Sequence, residues 1–429
     1  MKSARNYPLL LASQFLSAFG DNAILAVIVG QLTLMQKAGE ITSDQLRLNN
    51  TIYTSLLFVP YVLLAPLAGY VNDRYPKTTW LRRGNLFKIA GTVVCALSVW
   101  WGYIWQAPGY FIVGIGSCLY GPAKYGILPE ILPREKLVKA NGMVELLTLV
   151  AILTGMIAGS WMIDKLPVKQ CYVGLFAIFG TSWALNWLMT PTPANADIRL
   201  RASAAEFATH FKSLLTAPRL GKVLVGTALF WVCGAAMKIN FQPWGLDVLK
   251  LPDNTQIALL GLWLSVGVMV GSILAGQLYA VGDLRRTRIY GFVLAAMLAV
   301  IYLVEHLGMV HWLRFEPSLG ENSRLVLILP VMLLLGLAGV FAGLFLIPLN
   351  AALQAESDPD KLGKTIATQN VMDNLGMILA ALMVLACVKF QLGASQVFLV
   401  LAVVIAAVTA WLRIPETKAR PEQAGDAQP

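Results

Sequence analysis

The 429-residue sequence is short of charge: Asp, Glu, Lys and Arg make up 13% of it, against about 25% in ordinary soluble domains. It has three histidines and five cysteines. Cys95, Cys118, Cys171, Cys233 and Cys387 all lie within apolar runs, with no CxxC pair and no even set in exposed loops, which argues against disulfides and metal sites. Ten-residue stretches of alternating polarity are absent, so a membrane β-barrel falls away. Gly-x-Ser-x-Gly and His-Glu-x-x-His are absent too. "DKLGKT" has the ending of a phosphate loop, but Asp358 stands where its first glycine belongs and no strand precedes it. No cofactor is implied.

What remains is apolar: 57% of residues are hydrophobic and the mean hydropathy is +0.66. Runs of about twenty such residues recur, each long enough to cross roughly 30 Å of hydrocarbon as a helix. Turn and loop signals place twelve spans near 7–36, 50–71, 85–105, 110–131, 141–164, 170–190, 222–246, 256–281, 289–305, 325–353, 365–388 and 394–413. The first run lacks a cleavage site at its end and reads as a retained helix. With the N-terminus inside, cytoplasmic segments hold 22 Lys and Arg and outer segments 8. The positive-inside rule therefore puts both termini in the cytoplasm. The net charge of +10 suits an anionic membrane surface rather than nucleic acid.

Residues 191–221 divide the spans into halves, 1–190 and 222–413, and 414–429 read as a disordered tail. Within the linker, Ser203 and Glu206 have capping-box spacing and Phe207, Phe211, Leu214 and Leu215 share one face. That predicts a short interfacial helix carrying His210 and Lys212 outward. The halves echo one another: Pro122 and Pro133 end span four, and Pro348 and Pro359 repeat the interval after span ten. The acid and basic cluster after span two recurs after span eight, which suggests parallel repeats. The expected fold is an all-α membrane protein of twelve transmembrane helices in two pseudo-symmetric six-helix halves.

Gly69, Asp73, Arg74 and the bases after them resemble the loop between helices two and three of the major facilitator superfamily. "QFLSAFGDNA", "YGPAKYGIL", "KLVKANGMVE", "GTALFW" and "IPLNAALQ" resemble, in order, segments of its bacterial lysophospholipid transporter family. The resemblance implies an inner-membrane protein that moves lysophosphatidylethanolamine from the outer to the inner leaflet. A cytoplasmic acyl-carrier-protein synthetase and acyltransferase would then reacylate it. The alternative is the same fold moving another amphipathic or polar solute, such as a drug or a sugar. An enzyme is a weaker competitor: "HWLRFE", His311 to Glu316, imitates the His-x4-Asp of glycerolipid acyltransferases, but with Glu and on the outer side.

Charges inside spans are costly and normally face a cavity or a partner. Asp21 lies roughly 20 Å and Lys238 roughly 24 Å from the cytoplasmic ends of their helices, while Lys124 and Asp373 are on the order of 10 to 12 Å deep. Matching depth pairs Asp21 with Lys238 and Lys124 with Asp373, both across the halves. On this reading Asp21 and Lys238 bind a zwitterionic headgroup near the midplane, with Asn22 and Asn350 beside it. Lys124 and Asp373 form an inner latch, and Asp73 and Arg74 a cytoplasmic gate. Glu145 ranks below Asp373 as a partner for Lys124. The family more often has Arg at the Lys238 position and Glu at the Asp373 position. Gly155 with Gly159, and Gly267 with Gly271, predict close contact of spans five and eight across the halves.

Overall fold

The structure is a computed structural model that describes residues 5–41, 45, 49, 53, 56–57, 59–251, 254–309, 313–320, 323–324 and 326–415. Helices α1 (Asn6–Lys37), α2 (Ala65–Arg74), α3 (Lys77–Ala96), α4 (Gln106–Gly126), α5 (Leu137–Lys165) and α6 (Val168–Trp187) form the first set. Helices α7 (Leu220–Pro243), α8 (Asn254–Leu278), α9 (Thr287–His306), α10 (Leu329–Glu356), α11 (Leu362–Lys389) and α12 (Ala394–Trp411) form the second. Among the described residues, ten helical segments are long and apolar enough to cross a membrane. Much of span two before Val59 lies outside the described residues, as do His311 and the tail from 416 on.

Packing repeats between the sets. Helix α1 lies on α5, α3 on α4 and α6, and α2 on α4; correspondingly α7 lies on α11, α9 on α10 and α12, and α8 on α10. The proline echo extends to the residue eight places later in each set. Glu130 pairs with Lys77 at 3.0 Å, and Glu356 with Arg219 at 2.6 Å. Among the described residues, the one departure from an all-α fold is two small antiparallel ladders between α9 and α10, Arg314–Phe315 with Leu327–Ile328 and Ser318–Gly320 with Ser323–Arg324.

The linker carries a helix, Leu200–Thr216. It begins three residues before Ser203, so the expected capping box is not its start. Phe207 and Leu214 are buried as the amphipathic pattern requires. His210, expected outward, instead meets Thr365 Oγ1 of α11 at 3.2 Å.

Three buried apolar clusters organise the bundle. One belongs to the second set. Another belongs to the first, around Ile24, Tyr110 and Leu175. The third joins Leu10, Tyr70, Leu119 and Val144 of the first set to Ala275, Leu344, Ile347 and Ala367 of the second. This shared core lies towards the end of the bundle that holds the linker, the start of α1 and the end of α12, here called the linker end.

The glycine pairs do make close contacts, but within the sets rather than across them. A Cβ at Gly155 or Gly159 would stand 2.4 Å from the Phe19 or Ala23 carbonyl of α1. Gly267 and Gly271 meet the α10 backbone at Gly336 and Val340. The α5–α8 seam instead closes on Gly142, where a Cβ would stand 2.5 Å from the Ser272 carbonyl oxygen. Small-x-x-x-small spacing marks close approach without naming the partner helix.

Candidate functional site

Asp21 sits mid-helix on α1, and its partner is Lys88 of α3, not Lys238. Lys88 Nζ lies 2.6 Å from Asp21 Oδ2, and Ser117 Oγ of α4 donates to the same oxygen at 3.0 Å. Lys88 Nζ also donates to Ser17 Oγ at 2.7 Å. From there a chain of bonds crosses the first set: Ser17 to Asn85 at 2.8 Å, Asn85 to Ser182 at 2.7 Å, and Ser182 to the Ser13 carbonyl at 2.7 Å. The lysine side chain is 2% exposed and the aspartate 14%, so this is a nearly dry pair that does not span the seam; Asp21 Oδ2 takes both contacts, and Oδ1 is buried without a hydrogen-bond partner among the described residues. Gly84 and Gly91 flank Lys88 on one face of α3 and let α4 approach, a Cβ at Gly91 standing 2.6 Å from the Gly109 carbonyl. Glycine three and four residues either side of a lysine is the signal that sequence reasoning passed over.

Lys124 does not reach Asp373 either. Its Nζ lies 3.4 Å from Thr148 Oγ1 of α5 and 4.5 Å from the Tyr125 ring centroid. Thr148 in turn donates to Gln14 Oε1 of α1 at 3.1 Å, and Tyr125 donates to Glu145 Oε2 at 3.4 Å. Glu145 is the carboxylate that acts most on Lys124, with Asp21 a weaker second. Glu145 is 3% exposed, not wet as its depth suggested.

Asp373, on the other side, has no cation beside it among the described residues. Its polar neighbours are Thr227 and Trp231 of α7, and Oδ1 is buried with no hydrogen-bond partner. The charge that acts on it is the like charge of Glu145. Lys238, exposed on α7, makes no ion pair among the described residues. It lies eleven residues, about three turns, beyond Thr227 on the same helical face. Exposure along that face rises from buried Thr227 through Trp231 to Lys238.

The uncharged candidates take local partners. Asn22 Nδ2 donates to Ala18 O of its own helix at 2.8 Å. Asn350 accepts from Gln369 Nε2 at 2.8 Å, joining α10 to α11 within one set.

At the linker end the two sets are bonded directly. Asp73 Oδ1 accepts from Gly363 N at 2.6 Å and Oδ2 from Lys364 N at 3.2 Å, so the carboxylate caps the first turn of α11. A helix N-terminus is a natural anion seat. The phosphate-loop-like "DKLGKT" thus does hold an anion, and the anion is Asp73. Burial, the larger influence, pushes the Asp73 carboxyl up to about 7 against the pull of Lys77 and those two donors. Arg74 makes no ion pair there; its guanidinium donates to the Ala196 carbonyl at 2.7 Å and to that of Ile198, pinning the linker. Sequence reasoning missed the second bond of the seal. Asn141 of α5 and Gln354 of α10 exchange two amide hydrogen bonds of 2.9 and 2.8 Å, fully buried.

The geometry is therefore a two-set helical bundle, sealed at one end, with buried ionisable groups between the sets. A profile described as "Major Facilitator Superfamily" matches residues 10–320. The human organic anion transporter MFSD10 superposes with a TM-score of 0.73 at 14% identity, covering 95% of this chain and 99% of its own. FucP in the outward conformation gives 0.72 at 15%, covering 97% and 100%.

The likeness narrows further by sequence. The lysophospholipid transporter LplT of Photorhabdus laumondii is 32% identical over 381 residues, 87% of this chain and 86% of that protein. The one of Citrobacter koseri is 31% identical over 414 residues, 94% and 95%. The chain belongs to the major facilitator superfamily and, within it, to the lysophospholipid transporter family: it is a transporter, not an enzyme.

Proposed function

We propose that the protein carries lysophospholipid, chiefly lysophosphatidylethanolamine, across the bacterial inner membrane by alternating access between residues 1–190 and 222–413. The linker end is then cytoplasmic, as the distribution of basic residues argues. Lipid enters from the outer leaflet and leaves to the inner one, where an acyl-carrier-protein synthetase and acyltransferase takes it up.

The observation that carries this reading is Asp373. A buried carboxylate without a cation is expensive, and across the seam Lys124 has no carboxylate at ion-pair distance among the described residues, Glu145 acting on it only from further off. The headgroup supplies both missing charges at once, its ammonium to Asp373 and its phosphate to Lys124. Lys238, on the more exposed stretch of α7, meets the phosphate first. Asp21 then acts through Lys88, keeping α1, α3 and α4 in register, with Asn22 and Asn350 as supports.

Flipping of labelled lysophosphatidylethanolamine in proteoliposomes tests this, with a sugar and a cationic drug as controls. Asp373→Asn and Lys124→Gln should each lower the rate by about tenfold or more, the loss of one charge-assisted contact of roughly 1.5 to 3 kcal/mol. Transport of a control solute with none of the lysolipid would overturn the substrate. Undiminished flipping by both variants would overturn the site.

A further inference from the structure

A second feature, an apolar cavity rimmed by arginines, lies on the outside of the bundle, away from the seam. Between the start of α3 and the end of α6, Thr79, Arg82, Arg83, Leu86, Trp183 and Trp187 line a cavity of about 280 Å³. No acidic side chain is among them. The Arg82 guanidinium stacks 4.4 Å from the Trp187 ring centroid, and Arg83 lies 5.3 Å from that of Trp80. Among the described residues Arg82 makes only long bonds, 3.4 Å to the Thr78 carbonyl and 3.5 Å to Thr79 Oγ1. Neither arginine has a carboxylate partner among the described residues, so two oriented guanidinia keep most of their donors free.

The surroundings say what kind of anion fits. Arg82 is five residues into α3, about 7 Å from its start, and Trp187 is the last residue of α6. Both positions fall where tryptophan and arginine anchor a span to the headgroup layer. Leu86 and Leu188 beside the cavity are 53% and 52% exposed, a surface suited to hydrocarbon and unsuited to water. Basic pockets between spans on the cytoplasmic side suit anionic lipid headgroups, and a planar guanidinium matches a phosphate oxygen pair.

The geometry points to a structural or regulatory site for an anionic phospholipid of the linker-side leaflet. Its phosphodiester meets the guanidinia at the rim, and one acyl chain fills the apolar cavity along Leu86 and Trp183. This lipid is a resident of the α3–α6 face, separate from any molecule carried between the halves.

Native mass spectrometry of the purified full chain, titrated with phosphatidylglycerol, phosphatidylethanolamine or inorganic phosphate, tests the assignment. The wild type should retain phosphatidylglycerol adducts in preference to phosphatidylethanolamine. Arg82→Gln with Arg83→Gln should weaken that retention by about thirtyfold, two surface-proximal cationic contacts' worth. Arg82→Lys with Arg83→Lys should lose only a few-fold, which guards against a variant that merely misfolds. Asp373→Asn should retain the lipid fully, which separates this site from the transport path. Equal retention of phosphatidylethanolamine, unchanged retention in the glutamine variant, or displacement of the lipid by equimolar inorganic phosphate would overturn the proposal.

Discussion

Lys88 is the residue whose role departs most from its appearance. In the sequence it is one of three lysines within spans, and depth alone ties Asp21 to Lys238. Depth along a helix is legible from residue number, but rotation about the axis is not, so several partners at similar height remain indistinguishable. The structure chooses Lys88 because glycines at 84 and 91 bring α4 against α3 and leave the lysine no route but towards α1. Removing one partner of a buried pair costs about 3 to 5 kcal/mol. Lys88→Met should therefore lower the thermal unfolding midpoint in detergent markedly, whereas Lys238→Met should leave it unchanged. Equal effects of the two would return the midplane pair to the seam. Glu145 makes the same point from the other side: its place near a span end suggested water, and the packing of Tyr125 and Lys124 removes it.

At the scale of helices, much was legible. Hydropathy and turn signals place the spans, since a helix must bury its own backbone bonds in lipid. The amphipathic linker helix follows from its apolar face. Which helices touch was less legible, because short glycine spacings are alike on every face, and the pairs expected to join α5 and α8 serve α1 and α10 instead. One tight element contact at the seal is α2 against the start of α11, where a Cβ on Gly363 would stand 2.7 Å from Asp73 Oδ1 and 2.8 Å from Asn72 Cβ. Gly363→Ala should push the helices apart at a cost of about 1 to 3 kcal/mol. Thiol labelling of a cysteine placed at the linker end should accelerate accordingly; an unchanged rate would show that the seal does not rest there. Asn141→Leu alone strands the Gln354 amide and should cost about 1 to 3 kcal/mol, while Asn141→Leu with Gln354→Leu should be nearly neutral in thermal stability.

Over the whole molecule, the seal couples the two halves to pH through Asp73. Its carboxyl is raised to about 7 in the sealed form; once wet, it returns towards the ordinary range near 4. A group whose pKa is raised in one state favours that state when protonated. The contribution of Asp73 to sealing is thus complete below about pH 4 and fades as pH climbs through 7. Linker-end labelling should rise between pH 5 and 8, and Asp73→Asn should flatten that rise; a slope of opposite sign would refute the assignment. The amide pair beside it behaves differently. Asn141 and Gln354 carry no charge, and salt acts on exposed charges over a screening length of about 8 Å at physiological ionic strength. The amide part of the closure is therefore blind to the ionic medium, so a cell whose salinity fluctuates keeps that share of the shut form's stability unchanged.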